Sequence, residues 1–128
     1  DPARPVSPTT REGRSKMADA PIINVVKDFE AASDFEKKHT PYLTVQPSGD
    51  RYLVTCEVGH EVPHPNGSDH YITYLELYVG AAPIARLDLS PATTDPTFTV
   101  PVSLPAGAVL RAIEHCNLHG YWAYEITL

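Results

Sequence analysis

The side chains best able to do chemistry in this chain are six histidines and two cysteines, and they are clustered. Cys116 and His119 bracket a short turn, C-N-L-H, that stops at Gly120. His64 and His70 bracket a second one, H-P-N-G-S-D-H. His39 stands alone upstream, directly after Lys37 and Lys38. Two bracketed pairs plus His39 supply four imidazoles and one thiol. Borderline nitrogen and soft sulfur donors together select transition metals. The cysteine must be deprotonated to take part, and a nearby cation lowers its pKa enough for that. One C-x-x-H spacing is common, and a loop histidine is usually solvated. Several such pairs at segment ends in one small chain point to a metal centre.

The donor set narrows the metal. Structural zinc takes four ligands in a tetrahedron, usually with more than one Cys, and five candidates exceed that. A blue-copper site takes two His, one Cys and commonly an axial Met, but the single methionine, Met17, lies outside the histidine-bearing segments. The H-x-H pair of copper–zinc dismutases is absent. A square of imidazoles with one thiolate below leaves one face open. That suits a redox iron, because an axial thiolate pushes electron density onto the metal. A cupredoxin-like electron carrier and a structural zinc module remain as alternatives.

The elements that must position these donors are short. Thirteen prolines spread along the chain exclude long helices. Segments rich in Val, Ile, Thr, Tyr and Leu lie between them: 42–46, 51–58, 70–79, 83–89, 97–102, 108–115 and 121–128. The first two are joined by P-S-G-D, a hairpin signal. In 70–79 the alternation puts Ile72, Tyr74, Glu76 and Tyr78 on one face and Leu75, Leu77 and Val79 on the other. About seven strands with regular turn signals predict an all-β, antiparallel sandwich. The one helical candidate is D-F-E-A-A-S-D-F-E-K-K, with Ser33 as N-cap and Glu36 three residues on.

Composition excludes several function classes. At 128 residues the chain is one domain with room for a hydrophobic core. A formal charge of −6 argues against nucleic acid as a partner. No apolar run approaches the roughly 20 residues that span a bilayer, and no secretory signal opens the sequence. Residues 1–16 are rich in Pro, Ser, Thr and Arg without periodicity and are expected to be a disordered leader or tag, with the domain at 17–128. Two distant cysteines predict free thiols and a cytoplasmic setting.

Three motifs together resemble superoxide reductases, the neelaredoxin and desulfoferrodoxin family: K-K-H-T-P (37–41), V-P-H-P-N-G-S-D-H-Y-I (62–72) and H-C-N-L-H-G-Y-W (115–122). The resemblance implies an immunoglobulin-like sandwich holding one ferrous iron. His39, His64, His70 and His119 match its equatorial ligands and Cys116 its axial thiolate. It implies one-electron reduction of superoxide to hydrogen peroxide, with the iron re-reduced by an external donor such as a rubredoxin. Four-cysteine rubredoxin-like sequence is absent, which implies the one-iron type, and small members of that type form homotetramers. Where the family commonly has Glu-Lys-His, Lys37 replaces the glutamate and Glu36 comes one residue early. Glu36 is therefore expected to miss the sixth position.

Lys37 and Lys38 are the expected steering charges for an anionic substrate. The leader holds four basic and two acidic residues, so the rest of the chain carries −8 and these two lysines form its local positive patch. Asn117 is expected to hold the C-N-L-H turn, with the backbone N–H groups of Leu118 and His119 aimed at the sulfur. His60 is expected at the surface, His115 on the face opposite Cys116, Cys56 in the core, and Trp122 either near the metal or in the core.

Overall fold

A computed structural model describes residues 21–128. The expected leader and the start at Met17 lie outside the described residues. Within them the chain forms β1 (Ile23–Val25), α1 (Asp34–His39), β2 (Pro41–Ser48), β3 (Arg51–Val58), β4 (Ile72–Val79), β5 (Ala82–Asp88), β6 (Thr97–Val102), β7 (Val109–Cys116) and β8 (Gly120–Thr127). Two sheets pack face to face, one of order β1-β8-β7-β4-β5 and one of order β2-β3-β6. The predicted sandwich is therefore the fold. Every pairing is antiparallel except that of β1 with β8. This short parallel strand, I-N-V, is the element the sequence reading did not count.

The period-2 pattern explains the layers. In β7, Leu110, Ala112, Glu114 and Cys116 are buried, while Val109, Arg111, Ile113 and His115 face outward. Val54, Cys56 and Val58 of β3 and Leu43 of β2 meet them across the core. Fully burying a side chain such as Leu75, Leu77 or Leu110 stabilises the fold by about 1.5–3 kcal/mol each. The alternation expected for β4 fails at one place. The register with β7 shifts between Ile72 and Tyr74, so Ile72 turns inward with Leu75 and Leu77 rather than outward with Tyr74. A bulge inserts one residue and so reverses the face of what precedes it.

The hairpin predicted at P-S-G-D is present. Ser48 pairs with Arg51, and Gly49 takes the positive φ (64°) that a two-residue loop needs at its first position. The helix is shorter than the candidate segment. Ser33 caps it through a capping box: the Ser33 hydroxyl accepts from the Glu36 N–H and the Glu36 carboxylate accepts from the Ser33 N–H, fixing the start at Asp34. Upstream, Phe29 leaves helical register to bury itself against Tyr42, 4.6 Å between ring centroids.

Candidate metal centre

Two loops and α1 converge at one end of the sandwich. His39 is the last residue of α1 and is wholly buried. Its Nδ1 donates to the Phe35 carbonyl one turn back, 2.8 Å away, leaving Nε2 as a free lone pair. His64 lies in the loop between β3 and β4. Its Nδ1 donates to the Pro65 carbonyl at 2.6 Å, again leaving Nε2 free. Gly59 admits this loop. It has φ 86°, and a Cβ there would stand 2.9 Å from the His64 backbone nitrogen. His70 closes the same loop through a two-way backbone bridge with Gly67. His119 and Cys116 flank the three-residue turn between β7 and β8, which ends at Gly120 with φ 79°.

The four imidazoles form a ring. Neighbouring centroids are 4.8 Å (His39–His64), 4.7 Å (His64–His70), 5.2 Å (His70–His119) and 4.9 Å (His119–His39) apart, with 6.3 Å across from His39 to His70. Adjacent rings stand at 68–83° to one another. Cys116 Sγ approaches this ring from the buried side, 3.5 Å from His64 Nε2 and 3.9 Å from His119 Nδ1. Ligand atoms of His39, His64, His70 and Cys116 all lie within 4.8 Å of one another. His119 joins through Nδ1, which is 3.2 Å from His39 Nε2.

The donor chemistry fits a cation. With Nδ1 of His39 and of His64 committed to carbonyls, their remaining lone pairs point inward, as when a second partner orients a metal-bound imidazole. His70 Nε2 is buried with no hydrogen-bond partner among the described residues. Orphaned buried polar atoms are rare, and a metal is one explanation for them. Electrostatics agree. Burial, as the largest cause, lowers the pKa of His39 and His70 and brings that of His64 down to about 4, so the rings are neutral donors at neutral pH. The Cys116 thiol is pushed up by burial, while the Leu118 and His119 N–H groups bound to its sulfur pull it down.

The surrounding side chains complete the setting. Trp122 stacks on His39 at 5.0 Å and 22°, and its Nε1 donates to the His119 carbonyl at 3.1 Å. Of the two settings expected for Trp122 it has both, being buried and beside the centre. Phe35, missed in the sequence, stands over His39 and His119 at 4.5 and 5.0 Å. Its place one helical turn before His39 was the available signal. Glu114, also missed, is buried below Cys116, with neither carboxylate oxygen hydrogen-bonded within the described residues. Burial raises its pKa well above the usual carboxylate range. Strand alternation with Cys116 would have found it.

The other expected residues sort clearly. Lys38 lies close enough to depress the pKa of His39, His64 and His70. Lys37 is turned away: its Nζ pairs with Glu61 at 2.9 Å and lies 5.4 Å over the Phe29 ring. Glu36 spends its carboxylate on the helix cap. Asn117 accepts from the Tyr71 N–H and donates to the Asp69 carbonyl, so it ties the cysteine turn to the His70 end of the other loop. His60 is exposed, pairs with Glu57 at 2.8 Å and stacks on Tyr42. His115 faces away from Cys116 and bonds Thr73 Oγ1 at 2.8 Å. Cys56 is buried in the core.

Comparison with known proteins agrees with this geometry. A superoxide reductase of Thermococcus kodakarensis is 34% identical over 101 residues, covering 72% of this chain and 88% of that protein. One of Pyrococcus horikoshii is 34% identical over 114 residues, covering 81% and 99%. The structure of a superoxide reductase from Nanoarchaeum equitans superposes with a TM-score of 0.71 at 31% identity, covering 84% of this chain and all of that one. Residues 31–125 match the desulfoferrodoxin family. With three imidazoles and a thiol gathered within 4.8 Å by that sandwich and a fourth imidazole beside them, the chain belongs to the desulfoferrodoxin family, the superoxide reductases.

Proposed function

We propose that this chain is a one-iron superoxide reductase, in which His39, His64, His70, His119 and Cys116 would hold the iron. The convergence of inward lone pairs above one buried sulfur carries the reading. Bound there, iron would supply the single electron by cycling between its ferrous and ferric states. Superoxide takes up that electron and two protons and leaves as hydrogen peroxide. An external carrier of the rubredoxin kind returns the electron, and the chain works as a homotetramer.

The residues of the chain do the rest. Lys38 draws the anion to the open side of the ring, since opposite charge at a cleft raises local substrate concentration. Phe35 and Trp122 wall the His39 side with apolar surface. The Leu118 and His119 N–H groups tune the sulfur, and such hydrogen bonds set the potential of thiolate-bound metals. Glu36, held in the helix cap, is not among the residues that would hold the iron.

The test is anaerobic loading with ferrous iron followed by exposure to superoxide. The expected result is one iron per chain and peroxide formed without oxygen. Copper or zinc retained in preference to iron would favour the electron-carrier or structural reading. Oxygen released together with peroxide would make the activity dismutation.

A further inference from the structure

The two ends of the His64–His70 loop are fastened differently. At the His70 end, Asn117 and the Gly67 bridge hold it. At the His64 end Gly59 packs closely on the His64 backbone, but beyond that contact the backing is open. An open cleft of about 250 Å³ lies there, lined among others by Glu57, Gly59, His64, Asn66, Asp95 and Thr97. Van der Waals contact cannot hold a side chain across open space.

What crosses to the far wall is Asn66. Its Oδ1 accepts from the Ala92 N–H at 3.0 Å. Its Nδ2 donates to the Thr94 carbonyl at 3.3 Å and reaches Asp95 Oδ1 at 3.5 Å. One amide thus binds three groups of the loop between β5 and β6. Ala92 there has φ 63°, the only positive φ of a non-glycine residue among those described. A β-carbon in that region is strained, and such strain persists only where the surroundings hold it.

We infer that Asn66 is a positioning residue for the metal centre: it clasps the His64 loop to the 90–95 loop and so holds the His64 ring at the angle its ligand nitrogen needs. This rests on the proposed function, since it supposes that His64 binds the metal. Asn66 touches neither substrate nor ligand atoms. Residues that orient metal ligands typically contribute ten- to a hundredfold to affinity.

The test uses cobalt(II) as the probe metal in the full chain, because its thiolate charge-transfer band reports on Cys116 without turnover. Three proteins are compared with wild type: Asn66→Ala, Asn66→Asp, and Asn66→Asp combined with Asp95→Asn. Release to excess chelator is timed, and melting of the metal-free forms is recorded. Asn66→Ala should release cobalt at least about tenfold faster, while its metal-free melting temperature falls by less than about 5 °C. Asn66→Asp keeps the acceptor for Ala92 but sets two carboxylates together. The double variant restores an amide–carboxylate pair and should recover release to within about threefold of wild type. Release from Asn66→Ala at the wild-type rate would overturn the inference. So would faster release matched by a large loss of metal-free stability and no rescue, since that marks a merely structural residue. If wild type itself gives no thiolate band, the ligand assignment has failed instead, and the clasp falls with it.

Discussion

Cys56 and Cys116 are equally sealed from solvent, but one sits in mid-sandwich and the other at its loop end. Cys56 lies between Leu43 of β2 and Phe98 of β6, with strand on both sides. Its thiol is pushed far above the ordinary range, chiefly by burial and then by Glu114. Cys116 is the last residue of β7, where the ladder ends and the N–H groups of Leu118 and His119 turn back onto its sulfur. Burial raises both thiols, but at Cys116 the two N–H groups offset part of that rise. Desolvation alone makes an inert thiol, whereas a strand end adds donors that stabilise the thiolate. Two further pairs differ in what each side chain meets: His64 joins the imidazole ring while exposed His60 pairs with Glu57, and Lys38 lies near the ring while Lys37 pairs with Glu61.

The largest effect should come from exchanging the sulfurs. Cys116→Ser replaces a strongly donating thiolate with a weakly ionised hydroxyl, so the sulfur-to-iron absorption band should vanish and superoxide reduction should fail. Cys56→Ala should keep both and lose about 1 kcal/mol of stability, measured by denaturant titration. If Cys116→Ser kept the band, the two regions would have been assigned the wrong way round. The histidine pair comes next. After dialysis against a chelator, His64→Ala should have lost most of its iron and His60→Ala none. Iron retained by the first and lost by the second would break the comparison.

The lysine pair acts on rate alone. Lys38→Ala should slow the second-order reaction with superoxide about tenfold at low ionic strength and flatten its salt dependence. Lys37→Ala should change little, because Glu61 already neutralises that charge. Pulse radiolysis across a salt series reads both. An equal effect of the two would mean that the Glu61 pair opens in solution.

The smallest effect concerns an aromatic assembly away from the metal. Tyr74, His115 and Tyr121 lie side by side on the outer face of the larger sheet, with Arg86 over the Tyr74 ring. Burial first, then Tyr121 and Glu76, raise the Tyr74 pKa to about 12. Its unfolded value is about 10. The folded form thus favours the neutral phenol. That contribution is whole below pH about 10 and is lost as pH rises through about 12. Denaturant midpoints over this range should fall further for wild type than for Tyr74→Phe. Parallel curves would show that this assembly does not resist ionisation.

Much of this was legible in the sequence because two physical signals are local. Alternation put Leu75 and Leu77 on one face of β4 and His115 opposite Cys116, and the S-D-F-E spacing gave the capping box at Ser33. The donor pairs were legible because each is bracketed within one turn. Less local features were not. β1 is only three residues long and exists through its pairing with β8. The inward turn of Ile72 depends on a bulge set by β7. The roles of Phe35 and Asn66 depend on contacts with residues far along the chain. The Lys37 side chain was unreadable for the same reason: Glu61, its partner, is brought to it by the fold.

Trp122 has a practical consequence. It is the one tryptophan of the chain, and it stacks on a proposed ligand. Intrinsic tryptophan emission therefore reports from a single place rather than as an average. An indole in face contact with the His39 ring lies within reach of electron transfer to an open-shell ion. Filling the site with iron should dim that emission, and chelation should return it. Occupancy can then be followed in dilute solution, without a label, in every variant that keeps Trp122.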